Sequence, residues 1–353
     1  MEIENPTPFY KQIWFMGGAA ALVVFALCFF AINYVSQPDE PKAPEVEKKV
    51  IASVHTNEPL IMIARQQGWI DADASEMTSV DAAEVDSLGE AFVGSDIESL
   101  KELQYFVGLK ELKTGSFANA KELKEIVIPS EVVSIEDGAL ADCPALESIV
   151  VDAANAHYDS RGDCNGVVCT WKGKLMLVAG CKNTILSADM RYIAPQAFKG
   201  CAALKEIALP EKMESIGEEA FMGCTNLRSV EIPKGIRFIE ASTFKDCKSL
   251  TVVSFPKSIE RLRKDAFKGC SALEKIVCPR HYVPIVENAF DSFGATVYVP
   301  EGMENKYFID KELRDAPRVS FHPCDNTASV VLTNEMFHKF LSIWGGEVEW
   351  LDI

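Results

Sequence analysis

The chain has 353 residues, 48% of them hydrophobic and 25% charged, and this composition excludes both a disordered chain and a wholly membrane-embedded one. Its length is enough for one large domain or two ordinary ones. The formal net charge of −17 opposes binding to phosphate backbones, so we expect no nucleic-acid partner.

An apolar segment lies close to the N-terminus. After a short tail, residues 1–12, the run IWFMGGAAALVVFALCFFAINYV at residues 13–35 carries no charge. It is long enough to cross a bilayer core of about 30 Å. We expect a retained single-pass transmembrane helix, because a cleaved signal peptide would have a basic start and a shorter apolar run. A lipoprotein processed at Cys28 is the minor alternative, since Leu27 is bulky for such a site.

The membrane orientation is read from the lysines on either side of the span. Lys11 stands alone before it, whereas Lys42, Lys48 and Lys49 follow it within a Pro-rich, charged linker, residues 36–50. We expect this linker to be stiff and extended. The lysine count weakly places the large domain in the cytoplasm.

An acidic stretch follows the linker. Its residues Asp71, Asp73 and Ser75 are spaced as the opening of a calcium-binding loop. Glu76 replaces the turn glycine, however, and Ala82 stands where the closing glutamate is required. We therefore expect helices and turns here and no bound calcium.

A repeat of 23 residues dominates the chain, in successive copies such as AFKGCAALKEIALP and AFMGCTNLRSVEIP. The anchor residues keep this spacing at Phe117 and Leu140, and again at Phe198, Phe221, Phe244, Phe267 and Phe290. Most copies continue with a Cys, a Leu, two alternating apolar residues and a Pro. The alternation predicts a short strand with one buried face, and copies that cannot bury their apolar rows alone must stack into a solenoid.

The cysteines follow the same repeat. Five of the eleven cysteines recur at one position of the copies, and we expect them to be buried small hydrophobic residues: Cys143, Cys201, Cys224, Cys247 and Cys270. A second apolar pair after the Pro, such as Met213 and Ile216, predicts an opposite wall.

One insertion interrupts the repeat. Leu140 and Phe198 are 58 residues apart, which is one period plus 35. Within the segment 152–186, the β-rich runs 166–171 and 174–179 flank the turn candidate Lys172-Gly173 and predict a β-hairpin. Near the C-terminus, residues 333–344 place five apolar side chains on one helical face. We expect this helix to dock on the solenoid, with binding to a partner as the minor alternative.

The repeat IGEEAFMGCTNLRSVEIP resembles the BspA-type leucine-rich repeat of bacterial surface proteins, over about residues 88–310. The resemblance implies an α/β leucine-rich-repeat solenoid with parallel β-strand ladders over residues 111–310. It also implies an N-terminal capping region, residues 51–110, and a C-terminal cap with the amphipathic helix, residues 311–353. An extracytoplasmic domain for adhesion or for interaction with other proteins is the implied function.

The start of the insertion contains the tripeptide Arg161-Gly162-Asp163, which in some extracellular proteins is an adhesion loop. The resembling family starts its hairpin with Tyr-Asp-Ser-Arg, so Arg161 has a structural explanation, and we favour a turn over an adhesion site. Cys164 and Cys181 bracket the hairpin and could form a disulfide if the domain lies outside the cytoplasm.

The outward residues of the predicted ladder are the candidate binding surface for a protein or glycan. The candidate ligand-binding residues are Val127, Ala208, Arg228, Glu231, Ser254, Lys275 and Val277. We expect no enzyme, cofactor or metal site, because the sequence has no nucleophile elbow, phosphate-binding loop or zinc-binding helix. The alternative function is a structural scaffold of the cell envelope without an external ligand.

Overall fold

A computed structural model of the chain describes residues 47–277, residue 289 and three backbone segments, 296–300, 320–324 and 327–331. Among these residues no helix is long and apolar enough to span a membrane. The predicted transmembrane helix 13–35 and the predicted amphipathic helix 333–344 lie outside the described residues. The described elements belong to the compact unit Lys48–Ile353.

The chain begins its described part with a small cap. Strand β1 (Val50–Ser53) pairs antiparallel with β2 (Glu76–Thr78), and helix α1 (Glu58–Gln67) lies between them in sequence. Asn57 caps α1 by accepting a hydrogen bond from the Leu60 amide, and Gly68 ends the helix in the left-handed conformation. Helix α2 (Ser79–Ala83) starts with a reciprocal capping box between Thr78 and Asp81. The two helices agree with the predicted helices and turns, whereas the strand pair β1-β2 was not predicted.

The repeats form short strands on two walls. In chain order the strands after the cap are β3 (Ser99–Leu100), β4 (Glu111–Leu112), β5 (Glu125–Ile128), β6 (Ser134–Ile135), β7 (Ser148–Val151), β8 (Gly166–Trp171), β9 (Lys174–Gly180), β10 (Met190–Ile193), β11 (Ser215–Ile216), β12 (Ser229–Glu231), β13 (Phe238–Ile239), β14 (Val252–Ser254), β15 (Arg261–Leu262), β16 (Lys275–Val277), β17 (Thr296–Pro300), β18 (Ser320–Cys324) and β19 (Thr327–Val331). Two short 3-10 helices, Lys101–Tyr105 and Arg161–Asp163, complete the described elements.

The strands of successive repeats pair in parallel, which confirms the predicted solenoid. On the first wall, β3, β5 and β7 form one sheet, and β12, β14, β16 and β17 continue in another. On the second wall, β4 pairs with β6, β10 with β11, and β13 with β15. The antiparallel strands β19 and β18 extend the first wall beyond β17. The sequence analysis did not predict this last pair of strands.

The repeated aromatic residues form a continuous stack inside the solenoid, as predicted. Phe198, Phe221, Phe244 and Phe267 are all buried, and successive ring centroids lie 5.1, 5.4 and 5.3 Å apart. Their ring planes differ by no more than 12°, because identical residues at one repeat position face one another in the same rotamer environment. The apolar strand residues on either side of this stack complete the core.

The turn that follows each anchor residue links neighbouring repeats. Two residues after the anchor, the backbone is left-handed at Asn119, Asp142 and Gly200, residue types that tolerate positive φ. The amide of Asp142 donates to the carbonyl of Lys199 at 2.8 Å, just as Asn119 donates to Asp142 at 3.1 Å. The repeats on both sides of the insertion are therefore direct neighbours, and the stacking of repeats continues across the inserted segment.

The insertion itself is the predicted hairpin. Strands β8 and β9 pair antiparallel around Lys172-Gly173, both with positive φ. Val167 and Val168, between which the register shifts, are buried on opposite sides of β8, because successive side chains of a strand alternate: Val167 packs into the N-terminal core and Val168 into the C-terminal core. Strand β9 also pairs in parallel with β10, so the hairpin is built into the second wall.

The close of the hairpin requires a glycine. A Cβ atom at Gly180 would lie 2.2 Å from the Cε1 atom of Phe198, because Gly180 packs against the first ring of the aromatic stack. Its amide also donates to Ala197 at 2.8 Å. The repeat that follows the hairpin has no regular first-wall strand at residues 205–210. This segment holds only the isolated bridge of Glu206 with Ser229, and Ile207 and Leu209 are partly rather than fully buried.

Candidate ligand-binding surface

The candidate surface lies on the outer face of the first wall, where β12, β14 and β16 present two outward columns. One column contains Ser229, Val252 and Lys275, which face one another across the parallel register, and the other contains Glu231, Ser254 and Val277. The residues between the columns, Val230, Val253 and Ile276, are buried. Period-two alternation therefore places the predicted residues Glu231, Ser254, Lys275 and Val277 on one face.

Apolar side chains are exposed on this face. Val252 retains 39% of its surface and Val150, on β7, retains 45%. Val127 and Val277 are half-buried on the same wall. Single exposed valines are common, but here they lie in pairs on neighbouring strands, Val127 beside Val150 on the N-terminal sheet and Val252 diagonal to Val277 on the C-terminal sheet. Each pair forms an apolar patch suited to contact with another molecule.

The charges on the two first-wall sheets are arranged differently. On the N-terminal sheet, Lys101 pairs with Glu125 at 2.9 Å and Lys124 pairs with Glu98 at 2.6 Å. On the C-terminal sheet, Arg228 and Glu231 are exposed, and neither forms an ion pair with any residue in the described part of the chain. Their charges are available to an external group.

The insertion divides the predicted row of outward residues. Val127 lies on the sheet β3-β5-β7, whereas Glu231, Ser254 and Val277 lie on the sheet that begins with β12. Ala208 is exposed but belongs to the segment 205–210, which has no strand. The single continuous row expected from the repeat is therefore wrong in its geometry, because Ser160 and Asn165 at the start of the insertion accept hydrogen bonds from the Val151 and Ile149 amides at the edge of β7. The binding role of these residues stays a prediction.

The tripeptide Arg161-Gly162-Asp163 forms a tight turn at the start of the insertion, with positive φ at Gly162 and Asp163. All three residues are exposed. The Arg161 guanidinium is held by Asp159, since its Nε donates to both carboxylate oxygens at 2.8 Å. This hydrogen bond lowers the pKa of the Asp159 carboxyl group. The favoured interpretation as a turn agrees with these contacts, and the adhesive role stays a prediction.

The repeated cysteines are buried, as predicted, and they also donate hydrogen bonds. The Sγ atoms of Cys224, Cys247 and Cys270 lie 3.1 to 3.2 Å from the carbonyl oxygen of the anchor Phe one repeat earlier. Burial raises the pKa of Cys143, Cys201 and Cys247 to about 12. Thiols in this state are poor nucleophiles, so the column is structural.

Cys164 and Cys181 are buried at the base of the hairpin, and the structure holds both as free thiols. Burial raises the pKa of Cys164 to about 11, with the neighbouring Cys181 as a smaller cause. The Cys181 thiol donates to the Asn165 carbonyl at 3.4 Å. The predicted disulfide between the two cysteines stays a prediction.

The acidic stretch of the cap forms a turn closed by the Ala74 amide, which donates to the Asp71 carbonyl at 3.0 Å. Asp81 caps α2, because its carboxylate accepts a hydrogen bond from the Thr78 amide at 2.7 Å. Within the described ranges, no three His, Cys, Asp or Glu side chains are grouped so that they could hold a metal ion.

The structure also brings together residues to which the sequence analysis gave no role. The Trp171 ring at the tip of the hairpin packs edge-on against Tyr192 of β10, with 5.0 Å between the ring centroids. The contact depends on the pairing of β9 with β10. A signal in the sequence for this place is that Trp171 directly precedes the predicted turn Lys172-Gly173.

Comparison with known proteins identifies the repeat. The family model described as "BspA type Leucine rich repeat region" matches residues 84–161 and 179–296 in six copies, and these ranges cover more than half of the chain. The two matched ranges are separated by the hairpin. No curated protein matches the sequence.

Several solved structures are similar. A leucine-rich cell surface protein from Faecalibacterium prausnitzii is 25% identical, covers 49% of this chain and 52% of its own, and has a TM-score of 0.43. A leucine-rich repeat protein from Bacteroides ovatus is 25% identical over 53% of this chain and 45% of its own, with a TM-score of 0.35. The pneumococcal vaccine antigen PcpA is 16% identical over 54% of both chains, with a TM-score of 0.44. The chain spans about half the length of the first of these proteins. On the match of the repeat model to more than half of its residues, the chain belongs to the BspA-type leucine-rich repeat family.

Proposed function

We propose that this chain is a membrane-anchored protein-interaction module, with the solenoid outside the cytoplasm and its first wall as the ligand-binding face. Residues 13–35 are the proposed anchor and residues 36–50 the spacer that holds the solenoid off the membrane. The observation that carries the proposal is the outward face of β12, β14 and β16, which combines the exposed Val252 with Arg228 and Glu231.

A protein surface fits this face better than a small molecule does. The two outward columns form an open strip, and side chains of mixed character lie side by side on it. Exposed aliphatic side chains contribute to binding because they exclude water from the contact. Arg228 and Glu231 have opposite charges without partners in the described part of the chain, so they can select a complementary pair.

Two measurements test the proposal. Protease treatment of intact cells that express the full chain should remove the solenoid while cytoplasmic proteins stay intact. A photoreactive amino acid in place of Ser254 should then cross-link to other proteins at the cell surface. The matched control is the same substitution at Ser258, a half-buried residue two positions after Pro256, where the chain has left the first wall.

Protection of the solenoid in intact cells would contradict the proposed location. Equal cross-linking from Ser254 and Ser258 would contradict the proposed face. Absence of any protein adduct at Ser254 on cells that display the chain would favour the scaffold function instead.

A further inference from the structure

A second surface lies on the other wall, at the tip of the inserted hairpin. Trp171 retains 41% of its surface, and the Lys172 ammonium group lies 3.9 Å from the centroid of its ring. Tyr192 packs against Trp171 from the neighbouring strand. Aromatic rings of this kind provide a large contact area at little cost in side-chain entropy. We call Trp171, Lys172, Lys174, Tyr192, Arg191 and Glu214 the hairpin platform.

The hairpin platform is held in place by hydrogen bonds between elements. Lys174 donates to both carboxylate oxygens of Glu214 at 2.7 Å, and the Tyr192 hydroxyl donates to Glu214 at 2.9 Å. These bonds lower the pKa of Glu214 and raise that of Lys174. Each pair alone adds little stability at an exposed site. Together they connect β9 and β10 to the start of β11, so the aromatic pair keeps one orientation before any ligand arrives.

The platform is locally basic on an acidic chain. The charged groups that form ion pairs here are Lys174, Arg191, Lys212, Asp189 and Glu214. Lys172 adds a further cation, which lies over the Trp171 ring. Four cations therefore face two carboxylates, although the whole chain carries a net charge of −17. An acidic ligand is favoured here and is repelled by most of the remaining surface.

The backbone next to the platform offers an open strand edge. β8 is the outer strand of the sheet β11-β10-β9-β8. Val168 exchanges two hydrogen bonds with Asp159 on the side away from β9, and the alternation of an antiparallel strand directs the amide and carbonyl groups of Thr170 to that side as well. Among the described residues neither group of Thr170 has a hydrogen-bond partner. An extended peptide can pair with this edge, whereas a polysaccharide has no equivalent amide pattern.

We propose that the hairpin platform binds an extended, acidic segment of a partner protein, which pairs with β8 at Thr170 and packs against Trp171. This inference rests on the proposed function as an interaction module and adds a second contact site on the opposite wall. Trp, Tyr and Arg are the residue types that most often dominate binding energy at protein interfaces, and all three meet here.

The experiment uses the full chain in detergent and a fluorescein-labelled peptide of about twelve residues that alternates Glu with Val or Tyr, long enough to pass along the edge and over the platform. Fluorescence anisotropy should show binding that weakens as salt is raised, and Trp171→Ala should weaken it about tenfold or more. Lys172→Glu should weaken it by a similar factor. Lys121→Glu is the matched control, because it makes the same change of net charge at an exposed lysine that forms no ion pair with any described residue.

The outcomes are distinct. No binding of the acidic peptide, equal binding of a version with Lys in place of Glu, or equal loss of affinity in Lys121→Glu would overturn the proposal. Binding of an oligogalacturonate but not of the peptide would overturn it in favour of a glycan. Thermal melting of each variant shows that a loss of affinity is not a loss of fold.

If surface display and cross-linking at Ser254 succeed while the peptide fails to bind, the platform alone is refuted. If the peptide binds through Trp171 but the solenoid is protected inside cells, the proposed location alone is refuted.

Discussion

Phe221 provides the sharpest test of how the repeats stabilise one another. Its side chain is fully buried, with ring centroids 5.1 Å from Phe198 and 5.4 Å from Phe244. Phe221→Ala removes a ring from the middle of the stack and leaves a cavity with a neighbour on each side. Large-to-small changes of this kind cost about 3 to 5 kcal/mol, and the two stacking contacts favour the upper part of that range.

The loss is measured by urea and thermal unfolding of the full chain, followed by circular dichroism. At about 2 to 4 °C per kcal/mol for a domain of this size, the melting temperature should fall by on the order of 10 °C. Phe238→Ala is the matched control, because Phe238 is half-buried between Arg237 and Arg263 on the second wall, and its loss should cost about 1 kcal/mol. A loss for Phe221→Ala no larger than that for Phe238→Ala would refute the stacking argument.

Three further predictions concern the hairpin and the thiols. Gly180→Ala should lower the melting temperature by several degrees, because its Cβ atom would collide with Phe198; an unchanged transition would contradict the packing at this position. Burial raises the pKa of the Cys143, Cys201 and Cys247 thiols from 9.0 to about 12. Because the folded protein keeps these thiols neutral, their contribution to the free energy of unfolding is complete below pH 9 and should be lost as the pH rises toward 12. Urea titrations from pH 8 upwards measure this, and a flat profile would count against it. Asp159→Ala should release Arg161 and speed tryptic cleavage after it, with Arg228→Ala as a control that leaves this turn intact.

The sequence determines the repeating part of the fold because each repeat position is filled by one kind of residue. The spacing of Phe198, Phe221 and Phe244 predicts a common environment for all three, and the structure places them in one stack. The excess spacing between Leu140 and Phe198 likewise predicts an insertion. The hydrogen bond from Asp142 to Lys199 confirms that the repeats on its two sides are neighbours.

The features that the sequence does not predict depend on contacts made by the insertion. Ile207 and Leu209 follow the repeat pattern, yet they form no strand, and the edge of the preceding first-wall strand β7 is bonded to Ser160 and Asn165 instead. The contact of Trp171 with Tyr192 requires the pairing of β9 with β10, which no local periodicity encodes. The need for glycine at residue 180 comes from its closeness to Phe198, which tertiary packing sets and no local pattern shows.

The burial of Val167 and Val168 on opposite sides of β8 has a mechanical consequence. These neighbours in sequence are anchored in two separate cores, so the hairpin is a shared wall between an N-terminal and a C-terminal block of repeats. In a solenoid each repeat contacts only its neighbours, and tension along its axis passes through every interface in series. A pulling force applied to the two ends should therefore extend the molecule in two steps, with the hairpin as the point at which the first rupture stops.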